Sequence, residues 1–207
     1  MPLREPVVIT APTVEPVSVS EFRANWRRLD FDDEDGNVCQ WVLSAARGLL
    51  EREAGITLHQ TTLEYYLEDW PCGGKPIKLP RAAPLISVTE IGYKDTTGAE
   101  TIWSSAEWIS STRTLPGRVA PGYGYQYPTE TLYPLDPIRI RYVAGIANAS
   151  PQTYPDERIR VAIMEIASSL FELREPNMLT SSLQSLEVSK LSPEARALID
   201  LCRVEFF

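Results

Sequence analysis

LPRAAPLISVTEIGYKDTTG, residues 79–98, lies mid-chain, and its second half reads as strand and turn. Leu85 to Asp95 is rich in β-branched and aromatic residues, and Asp95-Thr96-Thr97-Gly98 is a hairpin signal. Outward from it, LEYYLEDW (63–70), KPIKL (75–79), TIWSSAEWIS (101–110) and IRIRYVAG (138–145) are further β-prone runs separated by Gly, Pro and Asp. The connection RTLPGRVAPGYGYQYPTETLYPLDP, residues 113–137, is too rich in Pro and Gly for one continuous element, and a short strand is expected at Arg118-Val119. Residues 57–146 therefore form a β-rich segment.

The flanks have a different period. Ser18 can cap a helix from about Val19 to Leu29, with Glu21 at the reciprocal position of a capping box and Phe22, Trp26 and Leu29 on one face. After DFDDEDG (30–36), a second helix carries Val38, Trp41, Val42, Ala45 and Leu49 as an apolar stripe, and Gly55 is placed to end it. Beyond the β-rich segment, Pro155 opens a third helix, with Ile159, Ile163, Ile166, Leu170 and Leu173 on one face. Val161, Met164 and Phe171 make a second face, and a helix apolar on two faces is either central to a bundle or shared with a neighbouring subunit. Residues 177–191, NMLTSSLQSLEVSKL, are polar with interspersed leucines, and Ser192-Pro193 opens a last helix with Ala195, Leu198, Ile199, Cys202 and Phe206 along one side. The expected fold class is α+β: a small bundle of three to four helices, a β-rich insertion between the second and third, and an extended C-terminal arm. The corresponding segments are 1–17 (extended), 18–56 (helical hairpin), 57–146 (insertion), 147–176 (core helix) and 177–207 (arm and terminal helix).

Several motifs invite chemistry and fail its requirements. In DWPCGGKPIKLP, residues 69–80, Gly73-Gly74-Lys75 lacks the helix start a phosphate loop needs and is followed by Pro76 and a strand pattern. A β-hairpin turn is the expected reading. Cys72 has no base linked to it in sequence. The acidic run places Asp33 and Asp35 at two positions of an EF-hand loop, but Phe31 and Val42 occupy two others that need oxygen ligands. With Cys39, Cys72 and Cys202 scattered and His59 the single histidine, neither a disulfide framework nor a His-rich or thiolate metal site is expected. No cofactor is implied. Arg23 and Arg27 lie one helical turn apart and read as a solvated face. Tyr123, Tyr125, Tyr127 and Tyr133 could form a stacking platform, so a carbohydrate- or ligand-binding module using loop 123–133 is the alternative function.

At 207 residues, 43% hydrophobic and 23% charged, the chain has the composition of an ordinary folded protein. Its net charge of −8 argues against a surface that grips nucleic-acid phosphates. MPLREPVVITAPTVEP, residues 1–16, has neither the apolar run nor the cleavage pattern of a signal peptide, and no run approaches a bilayer span. Synthesis in a cytoplasm, without membrane association, is the expectation.

Together the segments resemble the head–tail connector (adaptor, or head-completion) proteins of long-tailed bacteriophages and gene transfer agents. VSVSEFRANWRRLDFDDED (17–35), VLSAARGLLEREAGITL (42–58) and residues 63–98 carry the resemblance. RIRYVAG (139–145), LFELRE (170–175) and, more weakly, ALIDLCRVEF (197–206) continue it. The resemblance implies a virion protein made in the host bacterial cytoplasm, non-enzymatic, forming a ring of commonly twelve subunits beneath the portal. Such a ring extends the DNA channel, lets DNA pass without sequence-specific binding, and docks a stopper or tail-completion protein. On this reading Leu179, Leu183, Leu186, Leu198, Ile199, Cys202 and Phe206 are expected to dock on the portal protein, and Val161, Met164 and Phe171 to face the neighbouring subunit.

Overall fold

The computed structural model describes residues 5–12, 15–25, 36–146, 157–172 and 191–203. The chain divides into two compact units, each assembled from separated stretches: a β unit containing residues 5–12 and 55–146, and a helical unit containing the remaining described residues. The α+β class holds, with helices and antiparallel sheets in separate units.

In the β unit, β1 (Val7–Thr10), β2 (Thr61–Leu67), β8 (Ile138–Ala144), β4 (Leu85–Lys94) and β5 (Glu100–Ile102) form an antiparallel sheet in that order. A second sheet has the order β3 (Ile77–Lys78), β7 (Arg118–Pro121), β6 (Trp108–Ser111). The period of two along β8 buries Ile138, Ile140, Tyr142 and Ala144 and turns Arg139, Arg141 and Val143 to the other face. Register places Tyr65 and Ile91 on either side of Ile140, and Leu63 and Val88 on either side of Tyr142. Leu79 and Val119 from the second sheet join this core. Trp70 closes it, stacked on Tyr127 at 5.0 Å and edge-on to Trp103 at 5.5 Å and Tyr93 at 6.2 Å.

Two expectations need correction here, and one extended segment gains a strand. The stretch at residues 69–80 is not a hairpin: a short 3-10 turn at Cys72–Gly74 delivers the chain from β2, in one sheet, to β3, in the other. Gly73 and Gly74 at φ +71° and +68° permit that turn, but they carry the chain between sheets instead of back along one ladder. TIWSSAEWIS divides into β5 and β6, because the Glu107 N–H donates to the Ser104 carbonyl at 3.0 Å and the Trp103 indole donates to the Glu107 carboxylate at 2.8 Å, closing a turn. The N-terminal extended segment contains a strand, β1, whose VVIT is β-prone but short and bounded by Pro6 and Pro12. The hairpin at Asp95–Gly98 forms as expected, with Asp95 accepting from the Thr97 N–H at 2.8 Å.

The helical unit holds α1 (Val19–Asn25), α2 (Gly36–Ala54), α3 (Glu157–Glu172) and α4 (Pro193–Cys202). Ser18 Oγ caps α1 by accepting from the Glu21 N–H at 3.1 Å, and Glu21 also pairs with Arg160 of α3. Arg47 of α2 reaches Glu15 at 2.8 Å and Glu51 at 3.1 Å. Gly55, at φ +68°, follows the last residue of α2. On α3, Ile159, Ile163 and Ile166 are buried as the period predicts. Trp26, Leu29, Leu173, Pro155 and the acidic loop with Asp33 and Asp35 lie outside the described residues.

The α2 stripe is a further correction. The buried positions are Cys39, Leu43, Ala46 and Leu50, with Leu49 at their margin, whereas Trp41 is 70% exposed and Ala45 is exposed as well. Both sets recur at helical spacing, one residue apart, so period alone cannot choose between them. α2 meets α1, α3 and α4, and the set with small Cys39 and Ala46 faces inward.

Candidate assembly surfaces

No group of His, Cys, Asp and Glu that could hold a metal ion occurs among the described residues. His59 is buried at 3% exposure, Cys39 is buried, and Cys72 is exposed on its turn. Among the described residues no helix is long and apolar enough to cross a membrane. What the chain does offer is surface of three kinds.

The first is the charged face of the five-stranded sheet. Arg139 on β8 donates to Glu64 on β2 at 3.2 Å, to Glu90 on β4 at 2.6 Å and to Glu100 on β5 at 2.8 Å. Arg141 meets the same Glu64 at 2.7 Å, and Tyr66 donates to Glu64 at 2.7 Å. Burial alone would raise the Glu64 carboxyl, but hydrogen bonds from Tyr66 and Arg141 and the charges of Arg141 and Arg139 outweigh it and hold the group below its ordinary value. Gly92 makes the lattice possible: a Cβ there would stand 2.7 Å from a Glu100 carboxylate oxygen. These partners are satisfied within the chain, which makes this face a brace across four strands.

The second is a depression of about 540 Å³ lined by Pro71, Gly73, Gly74, Pro121, Tyr125 and the segment 126–129. The four tyrosines do not form a platform. Tyr127 is 8% exposed in the aromatic core, where its hydroxyl donates to the Lys75 carbonyl at 2.8 Å and burial pushes its pKa up to about 12. Tyr125, 51% exposed, lines the depression, while Tyr123 and Tyr133 are exposed and stand outside its lining.

The third is apolar. In the helical unit Trp41, Val161 and Leu201 are large exposed hydrophobics. Of the expected subunit-facing set, Val161 is 47% exposed and Met164 half-buried, but Phe171 is 3% exposed and does not belong to a free face. Of the expected portal-docking set, Leu198 and Cys202 are half-buried, and Ile199 is wholly buried. The Ile199 side of α4 packs within the helical unit, where α4 meets α3 and α2. Its neighbour Leu201, 63% exposed, is a large outward apolar residue of that helix and lies off the longer stripe that the sequence shows. Leu179, Leu183, Leu186 and Phe206 lie outside the described residues.

The fold has counterparts in gene transfer agent particles. One is a chain in the neck of a native particle computed with C12 symmetry, at TM-score 0.69 and 21% identity. Another is in the neck of an empty particle computed with C6 symmetry, at TM-score 0.69 and 22% identity. A third is in the virion of a native particle, at TM-score 0.68 and 20% identity. Each alignment covers 99% of this chain and 97% of the other. No family model matches the chain, and no curated protein matches it by sequence. At such identities the likeness is one of fold.

Proposed function

We propose that this chain is a structural, non-catalytic head–tail connector of a tailed phage or gene transfer agent, located in the virion at the neck. The observation that carries the reading is the near-complete fold match to chains of particle necks at TM-score 0.69. In this reading the helical unit is a bundle, residues 55–146 are an insertion between its second and third helices, and β1 joins that insertion's sheet from before the first helix. Copies form a ring, twelve in the arrangement suggested by C12 symmetry, beneath the portal protein. The ring extends the channel through which DNA passes and presents a surface to a stopper or tail-completion protein.

Within that proposal, the burial of Ile199 and Phe171 in the single chain favours other residues at the contacts. Portal docking falls to the arm with Leu179, Leu183, Leu186 and Phe206, aided by Leu198, Leu201 and Cys202, while Ile199 serves the chain's own core. Subunit contact falls to Val161 and Met164 without Phe171. The full chain, mixed with its portal and viewed by negative-stain electron microscopy, is expected to give rings seated on portal particles. Absence of rings with and without portal, together with normal tail attachment in particles lacking the protein, overturns the reading.

A further inference from the structure

We infer that β1 is an exchanged strand: in the ring, β1 of one copy leaves its own β2 and completes the sheet of the next copy in the same register. The inference rests on the connector reading and deepens it by naming a contact between copies. β1 precedes the first helix and belongs to the β unit, whereas α1 and α2, which follow it, belong to the helical unit. It is the edge strand of its sheet, with Val7 opposite Glu64, Val8 opposite Leu63 and Thr10 opposite Thr62, and the ladder is irregular between Val8 and Thr10. All four of its side chains are exposed, Val7 by 51%, Val8 by 42% and Ile9 by 47%. None of them enters the core that Leu63, Tyr65 and Tyr142 share, although Pro6, just before the strand, is buried. The hold on β2 is therefore mainly the backbone ladder, which an identical strand from another chain supplies equally well.

The link behind the strand favours exchange. Glu15, at the approach to α1, is fixed in the helical unit by its ion pair with Arg47 at 2.8 Å. Only residues 11–14, Ala-Pro-Thr-Val, separate that anchor from the strand. Pro12 biases Ala11 towards extended backbone, and Pro16 does the same for Glu15. Short, stiff hinges invite swapping, since a link that resists turning loses little by running on to a neighbour. The occupant of the β2 edge is identified by what already fills it: β2 accepts VVIT antiparallel, and a second copy brings the same VVIT on the same link. Exposure points the same way. VVIT has neither charge nor proline, so it lacks the devices that keep native edges from pairing with other chains. After exchange it lies where two copies meet, and Val7, Val8 and Ile9 become side chains for the neighbour to cover. Each copy gives its strand to one neighbour and receives one from the other, a heterologous contact that closes with the ring.

The full chain carrying the photoreactive substitution Thr10→p-benzoylphenylalanine, mixed with an excess of isotopically heavy wild-type chain, tests this. Position 10 lies opposite Thr62 and its side chain is exposed, so the probe should leave the fold intact. In dilute single chains, irradiation is expected to join position 10 to the β2 peptide of its own light chain. In assembled rings the product is expected to shift to the β2 peptide of a heavy chain, as mass spectrometry of the linked peptides reads. Rings in which the link stays within the light chain, reaches the portal protein, misses β2 or does not form overturn this inference alone, because the rings themselves uphold the connector reading. Failure of the wild type to form rings under any condition, with portal or without, overturns the connector reading and the exchange with it.

Discussion

Arg139 has three carboxylate partners on three strands, and burial makes each of them matter. Desolvation alone would lower its pKa, yet hydrogen bonds and charge from Glu100 and Glu90 reverse that and push it up. Glu64 is the more revealing member, since it is 5% exposed and has both arginines and the Tyr66 hydroxyl as partners. Glu64→Gln keeps the shape and removes the charge, and it should destabilise the protein by about 1–3 kcal/mol in urea unfolding at neutral pH. Arg139 keeps Glu90 and Glu100, so the cost stays below that of an orphaned buried charge. The sign of the pH dependence follows from a folded-state pKa lowered below the unfolded value. The stabilisation from Glu64 is full above the unfolded value, 4.5, and is lost as pH falls through the depressed one. The gap between wild type and Glu64→Gln should therefore narrow progressively as the pH falls below 4.5. An unchanged gap would mean that packing, and not charge, accounts for the loss.

α4 links sequence to architecture in a way its period alone does not disclose. Ser192 Oγ accepts from the Ala195 N–H at 3.1 Å and donates to Glu165 of α3 at 3.2 Å, so the cap also positions the helix. Leu191, Ala195 and Ile199 are then buried. Ile199→Ala should cost about 2–5 kcal/mol in chemical denaturation, whereas Leu201→Ala should stay within about 0.5 kcal/mol in the single chain. Equal costs would contradict the burial pattern. By the same packing, removal of everything after Glu175 should weaken the helical unit and not merely release an arm. The buried stripe of α3, the cap at Ser18, the strands β2, β4 and β8, and the Asp95–Gly98 turn were all legible in sequence, because local period or turn chemistry determines them. The inward face of α2 was not, since two apolar sets one residue apart satisfy the same period. Nor was the division of TIWSSAEWIS, which depends on sheets that come together only in the fold. Phe171 and Ile199 were legible as apolar, but what covers them was not, because cover is a property of tertiary packing.

Charge is the property of the whole molecule that bears most directly on a ring. Each chain carries a net charge of −8, and the proposed connector ring, if built of twelve copies, would bring twelve such charges around one axis. In such a ring self-repulsion would oppose closure, whereas contacts between uncharged surfaces would be insensitive to salt. The Debye length falls from about 30 Å at 0.01 M salt to about 10 Å at 0.1 M, so repulsion between neighbouring subunits is screened across that range. Raising salt from about 0.01 to about 0.1 M should therefore lower the protein concentration at which rings form, as read by light scattering or analytical ultracentrifugation. The same charge should keep DNA from adhering at low salt, where basic channel proteins bind most tightly. A ring held by ion pairs between copies would respond in the opposite sense, dissociating as salt rises. That outcome would place the proposed subunit contact on charged surface instead of on Val161 and Met164.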